Sequence, residues 1–265
     1  MEPYDRNAFL AEFSAAEFEL FRSHLTSFDL KAGVRLQDFG AAVDQVVFPS
    51  SGLVAMTMPS HNGGGGGAIL LGRDGIIGSL GAACSAPAVC DAEVYIPGRA
   101  ARMPASAFRY VLDQSPAIRR AAARYNAVLM MQAQQTALCS AAHRVEDRIA
   151  RCLLEVQDRA GGSEIRLTQN TLAQMLGVQR TTVNLAAGHL ETAGIVKCGR
   201  GHMQIIKREQ LERRACECYR NIKVYASRLF GTSVAHHKAK NDDRLEGSSR
   251  SNLDYGVPEA ETTVG

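Results

Sequence analysis

The chain has 265 residues, 46% of them hydrophobic and 22% charged, with seven cysteines and a formal net charge of +3. That length allows one large or two modest domains with real cores, and there is no uninterrupted apolar run of about 18 residues to span a bilayer. Glu2, Asp5, Glu12, Glu17, Glu19 and Asp29 interrupt the first apolar stretch. A secretory leader needs a basic start and a clean apolar run, so a cytoplasmic protein is expected, with no membrane contact.

An amphipathic helix opens the chain, with Phe9, Leu10, Phe13, Phe18, Phe21 and Leu25 at helical spacing. From residue 28 to about 103 the texture changes to short alternating or β-branched runs at 43–48, 53–58, 68–71 and 93–96. Gly, Pro, Asp and Ser punctuate them, as in a compact unit of many short strands. The run Gly63–Gly67 reads as a hairpin tip, because no helix carrying a Lys follows it as a phosphate loop requires.

A long helix starts after Ser115-Pro116, with Ile118, Ala121, Ala122, Tyr125, Val128, Leu129, Gln132, Thr136 and Cys139 in one stripe. A helix this long between two domains is expected to pair with a copy of itself. Ile118, Tyr125, Val128, Leu129 and Gln132 are the expected seam. A third helix opens at His143, carries Val145, Ile149, Leu153 and Val156 on one face, and stops at Gly161-Gly162.

Residues 167–190 carry the most specific signal. Thr168 suits an N-cap, and Leu172 and Leu176 share a face with the small Ala173. Gly177 stops that helix where φ turns positive, Val178 packs inward, and a second helix runs from about Arg180 with Val183, Ala186 and Leu190 buried. A small residue, a turn glycine and an inward Val at these offsets are what two helices crossing steeply through a tight turn require. The exposed leading end of the second helix is Gln179, Arg180, Thr181, Asn184 and Leu185, the side chains expected to meet base edges in a major groove. Downstream, residues 194–206 read as a two-stranded hairpin with a glycine-rich tip, a wing. Phosphate contacts are expected from Thr168, Gln169, Asn170 and Thr182 around the helix pair, and from Lys197, Arg200 and His202 on the wing.

Charge supports this placement. Residues 143–223 hold fourteen Lys and Arg against nine Asp and Glu, whereas residues 1–142 hold eleven against twelve. A basic segment beside a neutral one suits a phosphate-backbone binder. The chain beyond residue 230 is polar and is expected to be disordered. The seven cysteines suit a reducing compartment rather than a disulfide framework. Cys216-Glu217-Cys218 has no partner pair at usable spacing, so no metal is expected. Cys198, between Lys197 and Arg200, sits where cations favour a thiolate, but the expected reading is an inert surface cysteine. No nucleophile, base and metal set is assembled, so an enzyme is not expected.

The stretch His143-Arg144-Val145-Glu146-Asp147-Arg148-Ile149-Ala150 and residues 167–190 resemble the winged-helix domain of the Crp–Fnr regulators. The resemblance implies an α+β protein. Residues 1–114 would be a cyclic-nucleotide-binding-like β-roll, 115–142 a dimerisation helix, 143–215 a winged helix-turn-helix, and 216–265 a terminal helix and tail. It implies a homodimeric transcription regulator on a two-fold symmetric operator in double-stranded DNA, with RNA polymerase as a further partner. Family members that bind cyclic AMP carry a Glu after a glycine and an Arg-Ser or Arg-Thr pair. Here Ser79 follows Gly78, and Cys90 and Asp91 align with the pair. The effector region (Gly78, Ser79, Leu80, Cys90 and Asp91) is therefore altered, cyclic AMP is not the expected ligand, and no cofactor follows. The N-terminal cysteines that hold an iron–sulfur centre in oxygen-sensing members have no counterpart before Cys84. The alternative is a small-molecule-binding protein that acts through a protein partner after losing DNA binding.

Overall fold

Both halves of a capping box begin the first helix, α1 (Ala15–Arg22): Ser14 Oγ accepts from Glu17 N, and Glu17 Oε2 accepts from Ser14 N. The computed structural model describes residues 7–59, 66–161 and 164–230. Residues 63–65 of the glycine run, Gly162 and the chain beyond 230 lie outside the described residues, so the expectations for them are not taken further.

Seven strands follow α1: β1 (Thr26–Leu30), β2 (Arg35–Gln37), β3 (Gln45–Pro49), β4 (Leu53–Met58), β5 (Gly66–Leu71), β6 (Asp91–Ile96) and β7 (Gly98–Pro104). They form two antiparallel sheets, ordered β1-β7-β3 and β2-β6-β4-β5. Alternation sends Leu30, Val47, Val54, Leu71, Val94 and Ala100 into one core shared by the two sheets. A second core joins Phe9, Phe21 and Phe48 to α3 (Ala105–Gln114) and the start of α4 (Pro116–Ala142). Between β5 and β6 lies the short α2 (Ser79–Cys84).

Ser115 caps α4, its Oγ accepting from Ile118 N, and Pro116 occupies the first turn where no N–H is needed. The stripe expected to be a dimer seam is used within the chain. Ile118, Tyr125, Val128 and Gln132 are buried, and Leu129 packs against both sheet cores. The Tyr125 hydroxyl donates to Ile76 O (3.0 Å) and accepts from Ile76 N (2.7 Å), which fixes that face of α4 on the β-roll. Four of the five residues are thus covered within the chain itself, and Leu129 is half-buried. The exposed face carries Ala123, Ala127, Met130, Gln134, Ala137 and Ala141, at alternating steps of four and three. That is the spacing of a coiled-coil seam.

Helix α5 (Val145–Ala160) begins after a two-residue break at His143 and Arg144. It leads to β8 (Glu164–Ile165), α6 (Gln169–Leu176), α7 (Arg180–Thr192), β9 (Val196–Gly199), β10 (His202–Ile205), α8 (Arg208–Arg214) and α9 (Cys218–Phe230). The three late strands form a small antiparallel sheet, β8-β10-β9. One core runs across both halves of the chain: Leu53, Ala55, Ala68 and Leu70 of the β-roll pack with Ile149, Leu153, Leu172 and Leu176. Among the described residues no helix is long and apolar enough to cross a membrane.

Candidate DNA-reading surface and effector cavity

Thr168 Oγ1 accepts from Thr171 N (3.0 Å) and starts α6. Gly177 ends it at φ 65°, a left-handed conformation that costs a side-chain-bearing residue about 1 kcal/mol or more. Val178 turns back onto the core, and α7 leaves from Gln179. Val183, Ala186, Ala187 and Leu190 bury one side of α7 against α6 and α5. The opposite side presents Gln179, Arg180, Thr181, Asn184 and Leu185, all exposed, with Leu185 at 63%. Arg180 makes no ion pair among the described residues.

The other sequence-assigned residues flank this surface. Thr168 and Asn170 are exposed, Gln169 and Thr182 half-buried. On the wing β9 and β10 pair from Val196↔Ile205 to Gly199↔His202, leaving Arg200 and Gly201 as the two-residue tip. Lys197 and Arg200 are exposed; His202 is half-buried, its ring lying so close over Gly199 that a Cβ there would fall within it. Cys198 N–H donates to Glu191 Oε1 (2.8 Å), and burial together with the Glu191 charge pushes its thiol up, away from the reactive thiolate. Alternation along β9 sends the neighbouring Lys197 side chain to the opposite face.

Residues 147–214 match the family of Crp-like helix-turn-helix domains. Solved structures share the fold over about three quarters of the chain. A regulator of the Crp/Fnr family from Eubacterium rectale superimposes with a TM-score of 0.62 at 18% identity, over 77% of this chain and 95% of that one. FixK2 from Bradyrhizobium japonicum gives 0.60 at 18% identity, over 72% and 98%. The c-di-GMP-responsive regulator CLP of Xanthomonas campestris gives 0.61 at 16%, over 72% and 99%. No curated protein matches the chain. The chain carries a Crp-like helix-turn-helix domain on the Crp–Fnr fold.

The N-terminal part of the chain holds a cavity of about 690 Å³ between β4, β5, α2 and α4, reaching the α6–α7 turn at Leu176 and Gly177. Gly78, Ser79, Leu80 and Cys90 of the expected effector region line it, and Asp91 does not. The Asp91 carboxylate accepts from Phe39 N (2.7 Å) and pairs with Arg35 at 3.5 Å, outside the cavity lining. Gly78 sits at φ 83°, where a Cβ would meet Gln45 O at 2.8 Å; the glycine is needed for backbone packing. Burial first, then the Asp91 charge, pushes the Cys90 thiol up to about 11, so it stays protonated at neutral pH.

Most of the wall is apolar, including Met56, Met58, Ile69, Val89 and Leu129. Ser79 Oγ donates to Asn126 Oδ1 (2.8 Å), and Gln37 Nε2 donates to Cys90 O (2.9 Å). Among the described residues Arg148 is the one charged residue in the wall. Its Nη2 donates to Leu176 O (2.6 Å) and Ser140 Oγ (3.2 Å), while its Nε is buried without a hydrogen-bond partner. Sequence reasoning missed Asn126 and Arg148, because each was absorbed into a helix pattern and neither lies near the family cassette.

Proposed function

We propose that this Crp–Fnr protein is a sequence-specific regulator that binds DNA as a homodimer, each copy laying α7 in a major groove of a two-fold symmetric operator. The observation that carries this is the division of α7: one side wholly buried, the other exposing Gln179, Arg180, Thr181, Asn184 and Leu185 at its leading end. Arg pairs with guanine O6 and N7, Asn with adenine, and Thr and Leu methyls suit thymine. Wing residues Lys197 and Arg200 and the first turn of α6 grip phosphates. The exposed Ala123–Ala127–Met130–Gln134–Ala137–Ala141 face of α4 pairs the two copies, its small side chains allowing close approach. A protein of this kind works in the cytoplasm and meets RNA polymerase.

The effector is a largely apolar molecule seated in the 690 Å³ cavity. Ser79, Cys90 and Asp91 stand where the cyclic-AMP-binding members carry their Glu and Arg-Ser or Arg-Thr pair, so cyclic AMP is not the signal. Because the cavity touches Ser79 and Asn126 on one side and Leu176 and Gly177 on the other, an occupant acts directly on the α6–α7 turn. Selection of bound fragments from a random duplex pool tests the main reading: an inverted repeat with half-sites about one helical turn apart is expected. Enrichment of no sequence, or of an asymmetric one, overturns it. Calorimetry with cyclic AMP is expected to give no heat, and micromolar binding rejects the effector assignment while leaving the DNA reading intact.

A further inference from the structure

Cys216 and Cys218 were expected to lack partners, and the fold supplies them. Cys139 lies on the last turn of α4 and His143 follows that helix, four residues on and so on the same face. The α8–α9 joint brings Cys216 and Cys218 against them. Cys139 Sγ lies 3.5 Å from Cys216 Sγ, and Cys218 Sγ lies 3.5 Å from His143 Nδ1. The three thiols and the imidazole nitrogen all fall within 4.8 Å of one another. The cysteines are buried, and the His143 side chain, 17% exposed, closes the cluster toward solvent.

We propose that Cys139, His143, Cys216 and Cys218 form a four-coordinate site for a zinc-class divalent ion. Zinc bonds sulfur at about 2.3 Å and imidazole nitrogen at about 2.0–2.1 Å, so a tetrahedral site sets its ligand atoms about 3.5–3.8 Å apart. Both measured separations match that edge length, and the widest requires only side-chain rotation to close. Soft sulfur and imidazole donors select against magnesium and calcium. The cluster is too tight for a multi-iron centre, whose ligands stand on different irons. A disulfide between Cys139 and Cys216 accounts for neither His143 nor Cys218.

The surroundings fit a metal as well. His143 offers Nδ1 to the cluster while its Nε2 meets Glu217 Oε1 at 3.0 Å, the carboxylate that orients a ligating imidazole. Gln135 Nε2 donates to Cys218 Sγ at 3.0 Å, a contact that stabilises a thiolate. With four protein ligands the site is closed, and its role is structural or sensory rather than catalytic. It ties the end of α4, the break before α5 and the start of α9 at one point, where the sensor half meets the DNA-reading half.

The experiment measures metal in the full chain purified under reductant without chelator. About one equivalent of zinc per chain is expected. Replacement by cobalt should give the intense visible bands and thiolate charge-transfer absorption of a tetrahedral sulfur-rich site. Cys139→Ser and Cys218→Ser should lose the metal, and Cys198→Ser should keep it. Alkylation of the wild-type protein keeps the test decisive if those variants fail to fold. Cys139, Cys216 and Cys218 should be protected until a chelator is added, while the exposed Cys84 reacts throughout. No retained zinc and no cobalt spectrum overturn the proposal, as do alkylation unaffected by chelator and retention of metal by folded variants.

Discussion

Arg180 and Arg200 carry the same charge and should fail in different ways. Arg180 stands at the leading end of α7, where the proposed function sets its planar fork against a guanine edge, and Arg200 stands at the wing tip, where the same proposal sets its charge against a phosphate. Arg180→Ala is expected to cost about 1–3 kcal/mol on the selected operator and to relax one symmetric pair of positions. Arg200→Ala is expected to weaken operator and scrambled DNA alike and to make the salt slope shallower by about one unit. Titrating both variants on both DNAs across a salt series checks this, and equal loss on both DNAs for Arg180→Ala reverses the assignment. These residues were legible because their offsets from Thr168, Ala173, Gly177 and Val178 follow from local sterics. Cys139 and Cys216 were not, because 77 residues separate them and only the path of α9 along α4 brings them together.

Asp158 shows what holds that path in place. Its carboxylate accepts from Tyr219 (2.7 Å), Arg208 (2.8 Å) and Lys223 (3.3 Å), joining α5 to α8 and α9. Burial pushes its pKa up, and the Tyr219 hydroxyl with the Lys223 and Arg208 charges outweighs burial, leaving it below the usual carboxylate range. A depressed pKa contributes stability that is present above the unfolded value and lost as pH falls through the folded one. Asp158→Asn should therefore destabilise the protein by about 1–2 kcal/mol at neutral pH, since the cations are partly solvated. It should also flatten the acid limb of stability against pH. Denaturant titration from neutral to acid pH checks both, and an unchanged acid limb removes Asp158 from the account.

At the scale of elements, α4 carries two usable faces, and the sequence disclosed only one. Ile118, Tyr125, Val128 and Leu129 stand out as apolar, and their contrast with Arg119 and Arg120 marks the face that the β-roll covers. The outer face is mostly alanine, which offers little hydropathic contrast, so its steps of four and three were read as background. Strand β7 escaped for a related reason: Gly98–Pro104 contains two arginines and three small residues, and its position between β1 and β3 gives it strand geometry that its composition does not announce. Ala127→Glu tests the outer face. Two copies of the new carboxylate would meet across the dimer axis, desolvated and without a partner, at a cost of several kcal/mol. Light scattering should report monomer with unchanged helix content. Leu129→Arg should instead damage folding, because Leu129 packs against the sheets; a folded monomer from Leu129→Arg and a stable dimer from Ala127→Glu would restore the inner seam.

At the scale of the molecule, the β-roll and the winged helix share one core rather than a linker. Leu53, Ala55, Ala68 and Leu70 continue into Ile149, Leu153, Leu172 and Leu176. An ion-pair chain crosses the same boundary: Arg159 pairs with Asp74 of the β-roll at 3.3 Å and with Glu155 at 3.5 Å, while Arg151 meets Glu155 at 2.6 Å. Buried charges of this kind do little for stability unless all are paired, and they penalise any displacement that separates them. On the proposed function, an occupant of the cavity that strained Leu176 and Gly177 would have packed side chains to act through. It also makes the halves unfold together. Leu70, 2% exposed on β5, touches that common core, so Leu70→Ala should cost about 2–5 kcal/mol and lower the stability of both halves. Calorimetry of the wild-type chain should show one transition, and proteolysis of the variant should open sites in α7 and in the β-roll in parallel. Two separated transitions, or a variant whose winged helix stays fully protected while the β-roll opens, would mean that the halves are independent and that an occupant of the cavity acts on α7 only through the contacts it makes itself.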